Sequence, residues 1–193
     1  LDLFDGVETD LEENVKIKTK KDLLVYSYRV AGTVGLMMSK ILKVDNKEAL
    51  KGAIDLGIAM QLTNIARDVI EDKNRNREYI EFNFFSIKET IHNAELFYKK
   101  SFNAISCIPL RSRFSVIVAR RVYKKIGDYI LKQKNIENYN KAGKIYVPIH
   151  GKIFETILST IDFLKLLFIK NINYDNKENH SILNQEINLN ERI

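Results

Sequence analysis

Apolar residues recur along most of this chain at i, i+3, i+4 and i+7, and strict alternation is rare, so the pattern predicts an all-α protein. Residues 22–42, DLLVYSYRVAGTVGLMMSKIL, carry apolar side chains on most sides behind an aspartate in N-cap position, which predicts a largely buried helix. A second long helix is expected over 47–72. Amphipathic helices are expected from 86 to about 106, over 113–133, and from 152 to about 170. Residues 1–21 read as a helix end and a connecting loop, and 74–83 as a polar loop. The Asn-dense stretch 171–193 has little periodicity and reads as a disordered tail behind a single domain of residues 1–170.

Composition supports one packed helical domain. The chain has 193 residues, 45% of them hydrophobic, with only 2 Pro and 8 Gly, too few turn formers for a many-stranded sandwich or barrel. A single cysteine, Cys107, excludes an internal disulfide framework and a cysteine zinc site, and three scattered histidines add no metal signature. No apolar run is long enough to span a bilayer and no secretory leader is visible, so the expected location is cytoplasmic. Thirty-one Lys and Arg against 25 Asp and Glu give a net charge of +6, which favours an anionic partner without choosing one.

The informative feature is a polar stripe on an otherwise apolar helix. At about 100° per residue, Gly57, Gln61, Asn64, Asp68 and Asp72 share one face, while Ile58, Leu62, Ile65, Ala66 and Val69 occupy the others. That face must look into the protein or into a cleft, and two buried carboxylates at i and i+4 repel unless a cation joins them. Hard oxygens so placed suit Mg²⁺, which takes one or two protein carboxylates and completes its shell with water and phosphate oxygens. Arg67, Arg75 and Arg77 supply positive charge near the same helix end. A solvated helix end with ordinary surface charges is the plain alternative. On the preceding helix Tyr28, Gly32, Gly35 and Ser39 align, and because an interior glycine costs about 1 kcal/mol relative to Ala, another helix or an apolar ligand must approach there closely.

The segments YSYRVAGTVGLMM at 26–38 and QLTNIARDVIED at 61–72 resemble the two signature segments of the squalene/phytoene synthase family of head-to-head prenyltransferases, in the wording of its phytoene synthases more than its squalene synthases. Weaker agreement continues through Arg77, Tyr79 and the stretches 94–109, 119–126 and 138–152. The resemblance implies an all-α isoprenoid synthase fold, here its C-terminal portion with five to six helices around a central cavity for prenyl diphosphates. Asp68 and Asp72 match the second of two aspartate motifs that bind Mg²⁺, with Mn²⁺ as the alternative ion, and Asn64 matches a further metal ligand. Gln61 and Arg67 match diphosphate-contacting positions, and Tyr26 matches a tyrosine at the reaction centre. Arg77, Tyr79 and Tyr123 match positions near the diphosphates, and Val30, Ala31, Val34, Gly35 and Met38 match the lining of the channel for the prenyl tails. The implied activity joins two geranylgeranyl diphosphates through a cyclopropyl diphosphate to phytoene, without NADPH. The alternatives are a squalene or dehydrosqualene synthase acting on farnesyl diphosphate, and a catalytically incomplete fragment or subunit that binds prenyl diphosphate.

Several positions depart from the family pattern. Its first aspartate motif lies upstream of the segment matched at 26–38 and is not found in this chain, which begins at Leu1. Asp5 and Asp10 stand one residue too far apart to replace it. The usual Gly-Arg-x-Tyr-Leu-Pro appears as Asn76-Arg77-Glu78-Tyr79-Ile80-Glu81, the stretch between Tyr79 and Ala94 is short, and Lys144 stands where an arginine is usual. Nucleic acid is not an expected partner, because a basic module would not place Asp68 and Asp72 on a buried stripe. Residues 153–169, with Lys165 and Lys170, would suit peripheral contact at the inner membrane face, but Glu155 and Asp162 make ordinary helix packing the preferred reading.

Overall fold

The computed structural model describes residues 1–169, 172 and 174–193. Its helices are α1 (Asp2–Thr9), α2 (Lys20–Ser27), α3 (Thr33–Ile41), α4 (Lys47–Asn74), α5 (Phe84–Ser101), α6 (Leu110–Leu131), α7 (Ile136–Ala142), α8 (Ile149–Leu167), α9 (Lys177–Leu183) and α10 (Leu189–Arg192). The all-α expectation holds, and the only strands among the described residues are β1 (Val15–Lys16) and β2 (Arg77–Glu78), which pair in parallel.

Helix α4 runs through the middle of the molecule. Its Ile54, Ile58, Ala59 and Leu62 are fully buried, and α3, α5 and α6 pack around it with Ile91, Phe97, Tyr98 and Ile117 in the core. Gly35 and Gly57 permit the crossing of α3 on α4: a Cβ on Gly35 would strike the carbonyl oxygen of Ala53, and one on Gly57 that of Ala31. The close approach inferred from the aligned small residues is therefore a helix crossing.

The long helices start where side-chain caps satisfy their free N–H groups. Asn46 accepts from the Ala49 amide at 2.9 Å, and Asn83 from the Ser86 amide at 2.8 Å, which places the start of α5 two residues before the expected one. In α2 the N-cap is Thr19, not Asp22: the threonine hydroxyl accepts from the Asp22 amide at 3.1 Å, and Asp22 sits in the first turn, where its charge favours the helix dipole. The helix expected over 22–42 is found, running without a gap over residues 20–41, but it is not regular α throughout. A π turn over Tyr28–Gly32 separates α2 from α3, closed by the Thr33 amide bonding back to the Tyr28 carbonyl, with the Thr33 hydroxyl on the Arg29 carbonyl at 2.6 Å.

One element was not expected from the sequence, and one expectation needs correction. Residues 136–142, unassigned in the sequence, form α7, which is anchored by the fully buried Tyr139. The tail expected to be disordered is folded wherever it is described. Tyr174, Asn176 and His180 bond to Asp55 of α4, and Leu183, Ile187 and Leu189 are buried in the core. These three polar side chains bond to α4, and the three buried apolar side chains, with the partly buried Ile193, pack the segment onto the core. The parts of these expectations that fall on residues 170, 171 and 173 lie outside the described residues. No helix among the described residues is long and apolar enough to cross a membrane.

Candidate active site

The polar stripe of α4 opens into a pocket of about 240 Å³, lined by Asp10, Tyr26, Gln61, Asn64, Ile65, Arg67, Asp68, Asp72, Arg77 and Tyr79. Residues from four parts of the sequence converge there. Arg77 is carried by β2, whose register sets Val15 opposite Arg77, and Asn76 just before it takes the left-handed conformation that turns the chain out of α4. The Arg77 guanidinium donates to the Asp10 carbonyl at 2.8 Å. Tyr139 of α7 steadies the helix from behind, its hydroxyl donating to the Arg67 carbonyl at 2.6 Å.

The charges in the pocket are unevenly satisfied. Arg67 holds Asp68 with two bonds, Nε to Oδ1 at 2.8 Å and Nη2 to Oδ2 at 2.6 Å, and the carboxylate raises the guanidinium above its usual pKa. Lys144 lies 3.4 Å from Asp68 and 2.6 Å from Glu71, so the lysine in the usual arginine position still reaches the site. The Asp72 carboxylate has no hydrogen bond or ion pair among the described residues. Burial first, then the charge of Asp68, pushes its pKa up to about 6. Two turns earlier on α4, the buried side-chain oxygen Oδ1 of Asn64 has no hydrogen-bond partner among the described residues.

That chemistry fits a divalent cation. Asp72, whose ionised form burial and repulsion disfavour, a second carboxylate one turn away and an orphaned amide oxygen are hard donors, and neither Asp72 nor the amide oxygen has a cationic partner among the described residues. They make an incomplete shell: among the described residues no group of three or more His, Cys, Asp or Glu side chains could hold a metal by itself.

Asp10 is the site residue that sequence reasoning missed. Its spacing from Asp5 does not make it a replacement for the aspartate motif; instead it organises two tyrosines. Tyr79 donates to Asp10 Oδ1 at 2.6 Å, and Tyr26 lies 2.9 Å from the same oxygen and 3.1 Å from the Tyr79 hydroxyl, with the two rings stacked 4.8 Å apart. Burial, the first cause, and the bonds to Asp10 raise both phenols above their ordinary pKa, so both stay neutral. In the sequence Asp10 is one of six acids between residues 2 and 13, and nothing in its spacing singles it out.

Beyond Tyr26 and Gln61 the surroundings change within one turn of each helix. Val30, Ala31, Val34, Gly35, Met38, Leu56, Gly57 and Met60 line an apolar pocket of about 350 Å³ that continues to Ser101, Ile105, Ile108 and Ala119. All five residues assigned to a channel lie in its wall, with Val34 and Met38 on its exposed side. Tyr123 is not in the lining of either pocket. It packs half-buried against the core and lies near enough to Arg67 to act on the guanidinium's charge.

Comparison with known proteins agrees with this geometry. Residues 1–80 match the model of the family described as Squalene/phytoene synthase. The chain is 34% identical over 143 residues to a 15-cis-phytoene synthase of Enterobacter agglomerans, covering 63% of this chain and 48% of that one. It is 30% identical over 194 residues to the chloroplastic phytoene synthase of Daucus carota, covering 86% and 47%. Among solved structures, a dehydrosqualene synthase crystallised with a ligand superposes with a TM-score of 0.66 at 27% identity, over 85% of this chain and 64% of that one. The chain thus spans about half the length of the curated relatives it matches.

Proposed function

We propose, from the premise that this chain belongs to the squalene/phytoene synthase family, that it forms the diphosphate-gripping and tail-binding wall of an enzyme that joins two geranylgeranyl diphosphates head to head into phytoene. The observation that carries the proposal is the junction of the two pockets: a polar mouth with Arg67, Arg77, Asp68 and Asp72 passes within one helical turn into an apolar channel. An amphiphile with a charged head and an isoprenoid tail matches that change of polarity.

In this reading Arg77 and Gln61 receive the diphosphate oxygens, and Arg67, already oriented by Asp68, adds a fixed positive charge beside them. Asp68, Asp72 and the free Oδ1 of Asn64 would hold Mg²⁺ or Mn²⁺, which when bound supplies charge neutralisation for a departing diphosphate. The Tyr26 and Tyr79 hydroxyls are turned onto Asp10, so the two phenols present aligned rings and oxygen dipoles to an allylic cation forming at the mouth. The apolar wall of Val30, Ala31 and Met60 keeps water from the cation while the second chain's double bond attacks it, and the resulting cation loses a proton to close the ring of a cyclopropyl diphosphate, one diphosphate having left. No reductant is required for phytoene.

The test is turnover of geranylgeranyl diphosphate with Mg²⁺ and no NADPH, read as phytoene, together with calorimetric binding of the same diphosphate. The expected result is product that Asp68→Asn abolishes; product retained in that variant overturns the assignment. The solved dehydrosqualene synthase supports a second reading, the shorter farnesyl diphosphate as substrate, and a chain-length assay separates the two. Tight Mg²⁺-dependent binding without turnover would identify an incomplete, prenyl-diphosphate-binding subunit.

A further inference from the structure

Helix α8 is amphipathic in the reverse of the usual sense. Its inward face is charged: Glu155 and Asp162, only 5% and 8% exposed, both bond to Arg121 of α6, at 2.9 Å and 2.6 Å, and Lys125 stands 3.7 Å from Glu155. Its outward face is apolar. Ile149, Ile153, Ile157, Ile161, Leu164 and Phe168 repeat at spacings of 4, 4, 4, 3 and 4 residues, so they form one stripe, and every one of them is at least half exposed. Six large apolar side chains in a continuous row are far more than the scattered exposed leucines of an ordinary surface.

The charges decide what covers the stripe. With both acids of the helix turned inward and neutralised, its exposed ionisable residues are His150, Lys152 and Lys165. The objection raised by Glu155 and Asp162 in the sequence is therefore removed: no carboxylate of α8 faces outward. A second copy of the chain fits poorly, because an antiparallel pair of α8 helices centred on the stripe would set Lys152 against the second copy's Lys165, cation on cation. An anionic lipid surface meets both requirements, with acyl chains for the isoleucines and Phe168, and phosphates for the flanking lysines.

We propose that the outward face of α8 is a docking surface for an anionic lipid bilayer, on which the helix lies parallel to the membrane plane.

The experiment is flotation of the whole chain with phosphatidylcholine vesicles with and without phosphatidylglycerol, alongside sedimentation velocity without lipid. The expected result is a monomer that floats with the anionic vesicles and about tenfold less with the neutral ones. Ile157→Glu, at a site 61% exposed and outside both pockets, should sink while keeping its helical circular dichroism, and Lys152→Glu with Lys165→Glu should lose the preference for anionic lipid. Wild-type protein that stays at the bottom with anionic vesicles overturns the proposal. So does flotation unchanged by Ile157→Glu, or a lipid-free dimer that Ile157→Glu dissociates, which would make a second copy the occupant.

Discussion

Helix α4 carries two acidic sites that face different ways and are satisfied to different degrees. Asp55 is completely buried and receives hydrogen bonds from Tyr174 at 2.5 Å, Asn176 at 2.8 Å and His180 at 2.8 Å. Nearly five turns later, Asp72 has burial without bonds, and Asn64, two turns before it, keeps an unused oxygen. A buried carboxylate costs free energy unless donors surround it. At Asp55 the chain supplies the donors from its own C-terminal segment, and the result is a structural clasp. At Asp72 they are withheld, and the deficit is what an incoming cation would fill. Incomplete satisfaction, not acidity, therefore sets the candidate cation site apart from the fold-stabilising one on the same helix.

The comparison breaks most visibly at Asp55. Asp55→Ala should destabilise the chain by about 3–5 kcal/mol, since it strands the polar partners of a buried group, and should open residues 174–193 to protease. An unchanged melting temperature would dissolve the contrast. Next comes Asp10→Asn, which weakens the anchor of Tyr26 and Tyr79 and should cost about 1–2 kcal/mol in urea unfolding, with a change in near-ultraviolet tyrosine dichroism. Asp72→Asn should have the opposite sign. With a folded-state pKa of about 6, above the ordinary carboxylate value, ionised Asp72 opposes folding; the penalty is absent below about pH 4 and complete above about pH 7. The metal-free variant should therefore be more stable than wild type by about 1 kcal/mol at pH 7.5, and equal to it at pH 4. Smallest is the response to Mg²⁺, about 0.4 kcal/mol at a concentration equal to its Kd, read as a rise in melting temperature at pH 7.5 that shrinks at pH 5 and vanishes in Asp72→Asn.

Legibility in the sequence followed the same divide. The length of α4 was readable to within two residues because its apolar period is long and unbroken, and Gln61, Asn64, Asp68 and Asp72 were readable because they interrupt that period on one face. The clasp was not readable. Tyr174, Asn176 and His180 are polar residues whose partner lies about 120 positions away, and pattern reasoning assigns unpaired polar stretches to solvent. Asp10 failed for a similar reason, since its two tyrosines arrive from α2 and from the loop after β2. α7 is two turns long and depends on one buried tyrosine, which leaves too few periods to detect.

The π turn at Tyr28–Gly32 marks the change from one part of the cavity to the other. Tyr26, before it, belongs to the polar mouth; Val30, Val34 and Met38, within and after it, belong to the apolar wall. One extra residue is taken up in that turn, and because five residues of π-helix turn the chain about as far as four of α-helix, the two groups keep their relative phase. Removing one residue of Tyr28–Gly32 would restore a regular helix and leave Tyr26 facing Asp10 and Tyr79. What the turn stores is slack: the cavity wall gains a residue while the mouth keeps its aim.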